Sequence, residues 1–279
     1  MNDSISVSER LIVAADFSPV PGGRVGVRSE VVQLANELGE LGVVIKVNSV
    51  LRAWGYELID ELRDRGVRVC ADLKLVDIPQ TLKLDGEFLR ESRPDFVTMM
   101  CNAEIDGMFA LKDAVHPDTK ILGVTVLTSL KEDLCRQVYK TPVKSGVLGF
   151  ARNAKSAGLW GLVCAPMEAE FLSTRRELQG LNLCTPNIRY DWAEDKKDDQ
   201  DKLRAASAGF AVTHGVTCVI VGRPILNAKL TEDRSKPQSH RQAAEWILQD
   251  IEDSLAKKAE IDQLNKFTST WESLKKEIP

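Results

Sequence analysis

Apolar residues along the chain fall into short unbroken runs, separated by longer stretches in which they recur every three or four positions. The runs are "LIVAADF" (11–17), "VVIKVN" (43–48), "VRVCADLK" (67–74), "DFVTMMCN" (95–102), "KILGVTVLT" (120–128), "GLVCAP" (161–166), "NLCTPNI" (182–188) and "TCVIVGR" (217–223), eight in all. They are rich in Val, Ile and Leu and mostly continuous rather than alternating, as strands buried on both faces are. Helical spacing appears in 29–41, 56–66, 80–92, 103–115, 148–158, 168–180 and 202–215. Eight strands, each followed by a helix, predict a closed (β/α)8 TIM barrel. The competing architecture is an open doubly wound sheet. "DFSPVPGGRVG" after the first strand holds glycines but no G-x-G-x-x-G turn, which counts against it.

The stretch 238–279 reads as helix. "RQAAEWILQDIEDSLAKK" closes the barrel, and "IDQLNKFTSTWESLKKEI" runs beyond what a barrel needs. Trp271 and Leu274 suggest that this extension docks, for instance on a subunit neighbour. The expected organisation is a barrel over residues 1–257 and a C-terminal helical extension over 258–279.

Composition adds exclusions. The chain has 279 residues, 43% hydrophobic and 28% charged, with a net charge of −4, as an ordinary globular protein with a large core does. No basic block stands out, so no nucleic-acid partner is expected. No stretch approaches a membrane span, and "MNDSISVSER" carries no apolar signal region, so a cytoplasmic protein is expected. Six cysteines, none in a C-x-x-C pair, sit mostly inside apolar runs. They read as reduced, buried thiols.

Chemistry in such a barrel gathers at the C-terminal ends of the strands. The polar residues there are Asp16, Lys46 and Asn48, Asp72 and Lys74, Thr128 and Ser129, Arg189, and Gly222 with Arg223. Asp72 and Lys74 are two apart, so they share a face of their strand. A lone charge at a strand end is commonly a loop-anchoring ion pair. Lys46 lies inside the apolar run "VVIKVN", however, where an unpartnered ammonium is very costly. Asp72 on the neighbouring strand is its expected partner, and Lys46, Asp72, Lys74 and Asp77 form one expected charged array. His116 and His214 fall in loops at the opposite end of the barrel, and His240 begins the last helix. With no imidazole at the site, a His-based triad or His-ligated metal is disfavoured, and proton transfer falls to lysine or carboxylate. The charged segment "DWAEDKKDDQD" (191–201) reads on charge alone as a solvated loop.

"DLKLVDIPQT" (72–81) resembles the D-x-K-x-x-D-I-P-x-T signature of the orotidine 5′-phosphate decarboxylase family. "VAADF", "VIKVN", "VTVLTS", "TPNIR" and "VGRPI" follow the family's pattern in order, over roughly residues 10–257. The resemblance implies decarboxylation of orotidine 5′-monophosphate (OMP) to UMP in pyrimidine synthesis, with no cofactor and no metal. Lys46, Asp72, Lys74 and Asp77 match the catalytic tetrad, and Lys74 would protonate C6 of the pyrimidine. Asp77, Ile78 and Thr81 would reach across a homodimer interface into the partner's site. Asp16 would hold a ribose hydroxyl, and Thr128 or Ser129 would face the pyrimidine. Pro186 would begin the phosphate-gripping loop, Gly222 and Arg223 would bind phosphate, and 191–201 would act as a lid. Two departures stand out. The usual "PGIRP" is "PNIRY" here, and the D-Q-K-R-like stretch is "DDQDKLRAAS", where Gln200 matches the Asp-Gln pair while spacing back from "VGRPI" points to Lys202.

Two rival readings remain. One is a related sugar-phosphate decarboxylase or aldolase-type enzyme using Mg2+, which should lack "DIPQT" and "LTS". The other is a non-catalytic barrel serving as an interaction module, against which the intact charged array speaks.

Overall fold

The computed structural model describes residues 5–19, 22–193, 206–229 and 232–276, with side chains as far as residue 266. Eight parallel strands close into a barrel in sequential order. They are β1 (Leu11–Ala14), β2 (Val44–Val47), β3 (Arg68–Leu75), β4 (Phe96–Met100), β5 (Lys120–Val124), β6 (Gly161–Val163), β7 (Asn182–Thr185) and β8 (Cys218–Val221). Among the described residues the helices are α1 (Gly23–Leu38), α2 (Ser49–Trp54), α3 (Glu57–Arg63), α4 (Pro79–Ser92), α5 (Glu104–Ala114), α6 (Glu132–Tyr139), α7 (Val143–Ser156), α8 (Pro166–Ser173), α9 (Ala208–Thr213), α10 (Arg223–Leu226) and α11 (His240–Lys276). The (β/α)8 expectation is met.

Differences lie at element edges. α1 begins six residues before the expected stretch and α7 five, and α2, α6 and α10 lie outside the expected helical stretches. Most strands end earlier than their apolar runs. β1 stops at Ala14, β5 at Val124 and β8 at Val221, because the chain leaves the sheet there to form the rim loops.

Side-chain alternation divides the core in two. Ile12, Val44, Cys70, Phe96, Leu122, Cys184, Cys218 and Ile220 fill the barrel interior. Their outward neighbours, such as Val13, Ile45, Val69, Val97, Ile121 and Val219, pack beneath the helices. All six cysteines are free and buried.

α4 and α5 lie unusually close. A Cβ at Gly86 would stand 2.6 Å from the Cβ of Ala114, so the helices can meet only at a glycine. α11 runs unbroken through residue 257 and leans on α9, where Lys258 Nζ donates to the Thr213 carbonyl at 2.6 Å. Side chains beyond 266, those of Trp271 and Leu274 included, lie outside the described residues. No described helix is long and apolar enough to cross a membrane.

Candidate active site

The inward positions explain the site. Val44, Cys70 and Phe96 belong to the apolar interior of β2, β3 and β4. Two residues further along each strand, on the same face, stand Lys46, Asp72 and Thr98. An apolar layer thus supports a polar layer immediately above it, at the C-terminal mouth. The mouth opens into a cavity of about 460 Å3 lined by Asp16, Lys46, Asp72, Lys74, Arg189 and Arg223, among others.

Asp72 organises the polar layer. Lys46 Nζ and Asn48 Nδ2 each donate to its Oδ2 at 3.1 Å. Lys74 Nζ donates to its Oδ1 at 2.6 Å and Thr98 Oγ1 at 2.8 Å. Lys46 also contacts Asp16, at 3.2 Å. Lys46 and Asp72 are each only 5% exposed, whereas the Lys74 side chain keeps 31% of its surface open. The buried ion pair is therefore complete, and the second lysine is the one offered to a ligand.

The electrostatics follow. Burial pulls the Lys46 ammonium down, but the charges of Asp72 and Asp16 outweigh it, and its pKa rises above the ordinary lysine value. Burial pushes the Asp72 carboxyl up. The charges of Lys46 and Lys74, with hydrogen bonds from Lys74 and Thr98, outweigh burial and hold it at about 2. A carboxyl depressed in the folded state contributes stability that is full above its unfolded value, about 4, and is lost as pH falls through its folded value. Asp72→Asn is therefore expected to be less stable than the parent at pH 6, by on the order of 3 kcal/mol, the usual cost of removing one partner of a buried pair. The difference should narrow between pH 4 and about 2 as Asp72 itself protonates. Denaturant melts across that range check this. A gap independent of pH would show that the charge on Asp72 does not carry the effect.

Lys74 sits on irregular backbone. The β3–β4 register shifts between Ala71 and Leu75, and Lys74 has φ 51°. A non-glycine residue in this region costs roughly 1–3 kcal/mol and persists where surroundings enforce it, often at functional sites. Asn187 likewise has φ 65°. Asparagine tolerates that region, which is the physical reason it can stand where "PGIRP" has glycine.

The opposite wall comes from the later strands. Pro186, Asn187 and Arg189 follow β7, while Gly222 and Arg223 follow β8, and all five line the cavity. The β7 loop is pinned by a bridge between Ile188 and Ala206 and by Tyr190, whose hydroxyl donates to Asp250 Oδ2 at 2.6 Å. Val124, Val126, Leu127, Val163 and Ile220 supply an apolar side.

The expected residues thus divide. Asp16, Lys46, Asp72, Lys74, Thr128, Pro186, Gly222 and Arg223 come together around the cavity, and of Thr128 and Ser129 only the former lines it. Asp77, Ile78 and Thr81 do not line it. Asp77 and Ile78 are exposed on the rim at the start of α4, and Thr81 is half-buried in its first turn. Gln200, Lys202 and most of the expected lid lie outside the described residues. The three histidines are absent from the lining, and His240 pairs with Glu37 at 2.8 Å. Sequence reading missed Thr98. Its parity on β4, equal to that of Asp72 on β3, marks only the face it shares with the mouth, not its bond to Lys74.

Known proteins match this chain along most of its length. Residues 9–236 fit the model of the orotidine 5′-phosphate decarboxylase / HUMPS family. An orotidine 5′-phosphate decarboxylase of Staphylococcus aureus (strain Newman) is 33% identical over 202 residues, 70% of this chain and 83% of that protein. One from Staphylococcus haemolyticus is 36% identical over 180 residues, 63% of this chain and 76% of that protein. The crystal structure of orotidine 5′-phosphate decarboxylase from Lactobacillus acidophilus superposes with a TM-score of 0.70 at 26% identity, covering 87% of this chain and 99% of that one. With the fold, the signature and the matched length in agreement, the chain belongs to the orotidine 5′-phosphate decarboxylase / HUMPS family.

Proposed function

We propose that the chain decarboxylates OMP to UMP in pyrimidine biosynthesis, with Lys74 as the proton donor to C6. The observation that carries this reading is the Lys46–Asp72–Lys74 array at the cavity floor, in which one buried anion is held by two lysines and the outer lysine is open to a ligand.

Breaking the bond between C6 and the carboxylate leaves its electron pair on C6 as CO2 departs. The Lys74 ammonium stabilises that charge where it develops and then gives C6 its proton, to be recharged from water. Asp72 lies beside the departing carboxylate as a fixed anion. Its four donors leave it no freedom to turn away, so the field at C6 is set before the reaction begins. Asp16 holds a ribose hydroxyl, Lys46 keeps Asp16 and Asp72 in place, and Thr128 faces the pyrimidine beside the apolar wall. Gly222 and Arg223 take the phosphate, with Pro186 opening the loop around it. Gln200 and Lys202 belong to the same proposal as contacts of base and phosphate. The reaction so drawn uses the chain's own groups, without cofactor or metal, in a cytoplasmic enzyme.

The proposed assembly is a homodimer in which Asp77, Ile78 and Thr81 complete the partner's site. Its support is the position of Asp77 outside its own cavity and an apolar surface beside it. Ile78 is 65% exposed and Phe88 62%. Leu84 shares a face of α4 with Phe88, and exposed Ile105 and Phe109 lie one turn apart on α5. A surface of this kind marks a protein contact.

The test is to incubate the purified protein with OMP, without added metal, and follow its ultraviolet absorbance. Conversion to UMP under these conditions supports the reading. No conversion by folded protein removes it, and a strict requirement for added Mg2+ favours the aldolase-type relative. Arg223→Ala is expected to raise KM for OMP about 100-fold or more, since a charge-assisted contact to phosphate is lost. Any turnover of orotidine, which lacks phosphate, should change much less. Equal losses on the two substrates would remove Arg223 from phosphate binding.

A further inference from the structure

We infer that Thr98 is a positioning residue for the reaction, its single hydroxyl fixing both the Asp72 carboxylate and the backbone of Lys74; this rests on the reading of Lys74 as proton donor. Thr98 is 2% exposed, near the middle of β4. Its Oγ1 lies 2.8 Å from Asp72 Oδ1 and 3.0 Å from the Lys74 backbone nitrogen. The directions of both bonds are dictated by chemistry. An ionised carboxylate can only accept and a backbone N–H can only donate, so the hydroxyl donates to Asp72 and accepts from Lys74.

The two bonds meet where β3 departs from regular pairing. Cys70 and Ala71 pair in register with Phe96 and Val97, after which Leu75 pairs with Met99. Four residues of β3 therefore advance against two of β4. The excess is taken up around Lys74, in its left-handed conformation. There the Lys74 N–H finds the Thr98 side chain as its acceptor. The same hydroxyl fills a position on Asp72 Oδ1, the oxygen that receives the Lys74 ammonium. Thr98 thus ties both ends of the Lys74 residue, backbone and ammonium, to one point on the neighbouring strand. Without it, the Lys74 N–H loses its acceptor, the backbone has less reason to stay at positive φ, and the ammonium is free to shift relative to C6. A displacement near 1 Å from the reactive geometry costs on the order of 100-fold in rate.

Thr98→Val keeps the side-chain shape and removes the hydroxyl, whereas Thr98→Ser keeps the hydroxyl and removes the methyl. Thr98→Ala, paired with Thr98→Ser, isolates the hydroxyl again should the valine variant fold poorly. Two readouts are taken. The first is hydrogen exchange at the Lys74 amide, resolved by NMR, which does not depend on turnover. Protection should hold in the parent and in Thr98→Ser and fall at least tenfold in Thr98→Val and Thr98→Ala. The second is steady-state turnover of OMP. kcat should fall about 10- to 100-fold in Thr98→Val and Thr98→Ala, with KM within about threefold because the phosphate contacts are untouched, and Thr98→Ser should recover most of the loss. An unchanged kcat in Thr98→Val, a Lys74 amide that stays protected, or a serine variant as impaired as the valine one would each overturn the inference. A parent inactive on OMP would instead remove the decarboxylase reading, leaving the exchange experiment to decide whether Thr98 pins Lys74.

Discussion

Lys74→Ala is expected to abolish turnover of OMP while leaving the barrel folded. Two contributions disappear together. Removing one preorganised stabilising group from a developing charge costs about 100- to 1,000-fold, and losing a positioned proton donor costs about 100- to 10,000-fold. Because the same ammonium serves both roles, the combined loss is on the order of 10,000-fold or more. The fold should tolerate the change. The Lys74 side chain is 31% exposed, and Asp72 keeps Lys46, Asn48 and Thr98 as donors. Asp72 would then carry a smaller balancing charge, so a modest fall in stability accompanies the kinetic loss. Turnover measured by product chromatography, alongside circular dichroism and a thermal melt, separates the two effects. Near-parent turnover in a folded variant would remove Lys74 from the mechanism, and a variant that lacks the parent's circular dichroism spectrum and melting transition would show Lys74 to be structural.

The barrel was legible because its strands are buried on both faces and so read as uninterrupted apolar runs. Their ends were less legible. "LIVAADF" continues apolar past Ala14, but the chain has left the sheet there so that Asp16 can reach the mouth. Periodicity cannot register that departure, since a loop packed on a rim can be as apolar as a strand. α2 and α10 are illegible for a different reason, being six and four residues long, less than two turns each. The pairing of Lys46 with Asp72 followed from the cost of burying an ammonium alone. Thr98 did not, because a threonine in a strand carries no such cost. Its meaning comes from the register shift in β3, which requires an acceptor off the regular ladder. The sequence pattern does not encode that shift.

Asp77 poses the remaining question of the charged array, since within one chain it stands apart from the other three residues. Pro79 begins α4, so the chain turns outward at Asp77, whose carboxylate accepts the neighbouring Ile78 N–H at 2.7 Å instead of meeting Lys46 or Lys74. In a twofold dimer packed through the exposed apolar faces of α4 and α5, the rim carrying Asp77 would sit against the partner's mouth. Each site would then hold Lys46, Asp72 and Lys74 of one chain and Asp77 of the other. Asp77→Asn and Lys74→Ala homodimers should each be inactive. After subunit exchange, one of the two sites in every heterodimer carries neither substitution. Random exchange of equal amounts makes half the dimers heterodimers, so activity should recover to about a quarter of the parent value. The measurement is OMP turnover before and after exchange, with heterodimer formation followed by native mass spectrometry of differently tagged chains. Full heterodimer formation without recovered turnover would place Asp77 in the service of its own chain and end the shared-site reading.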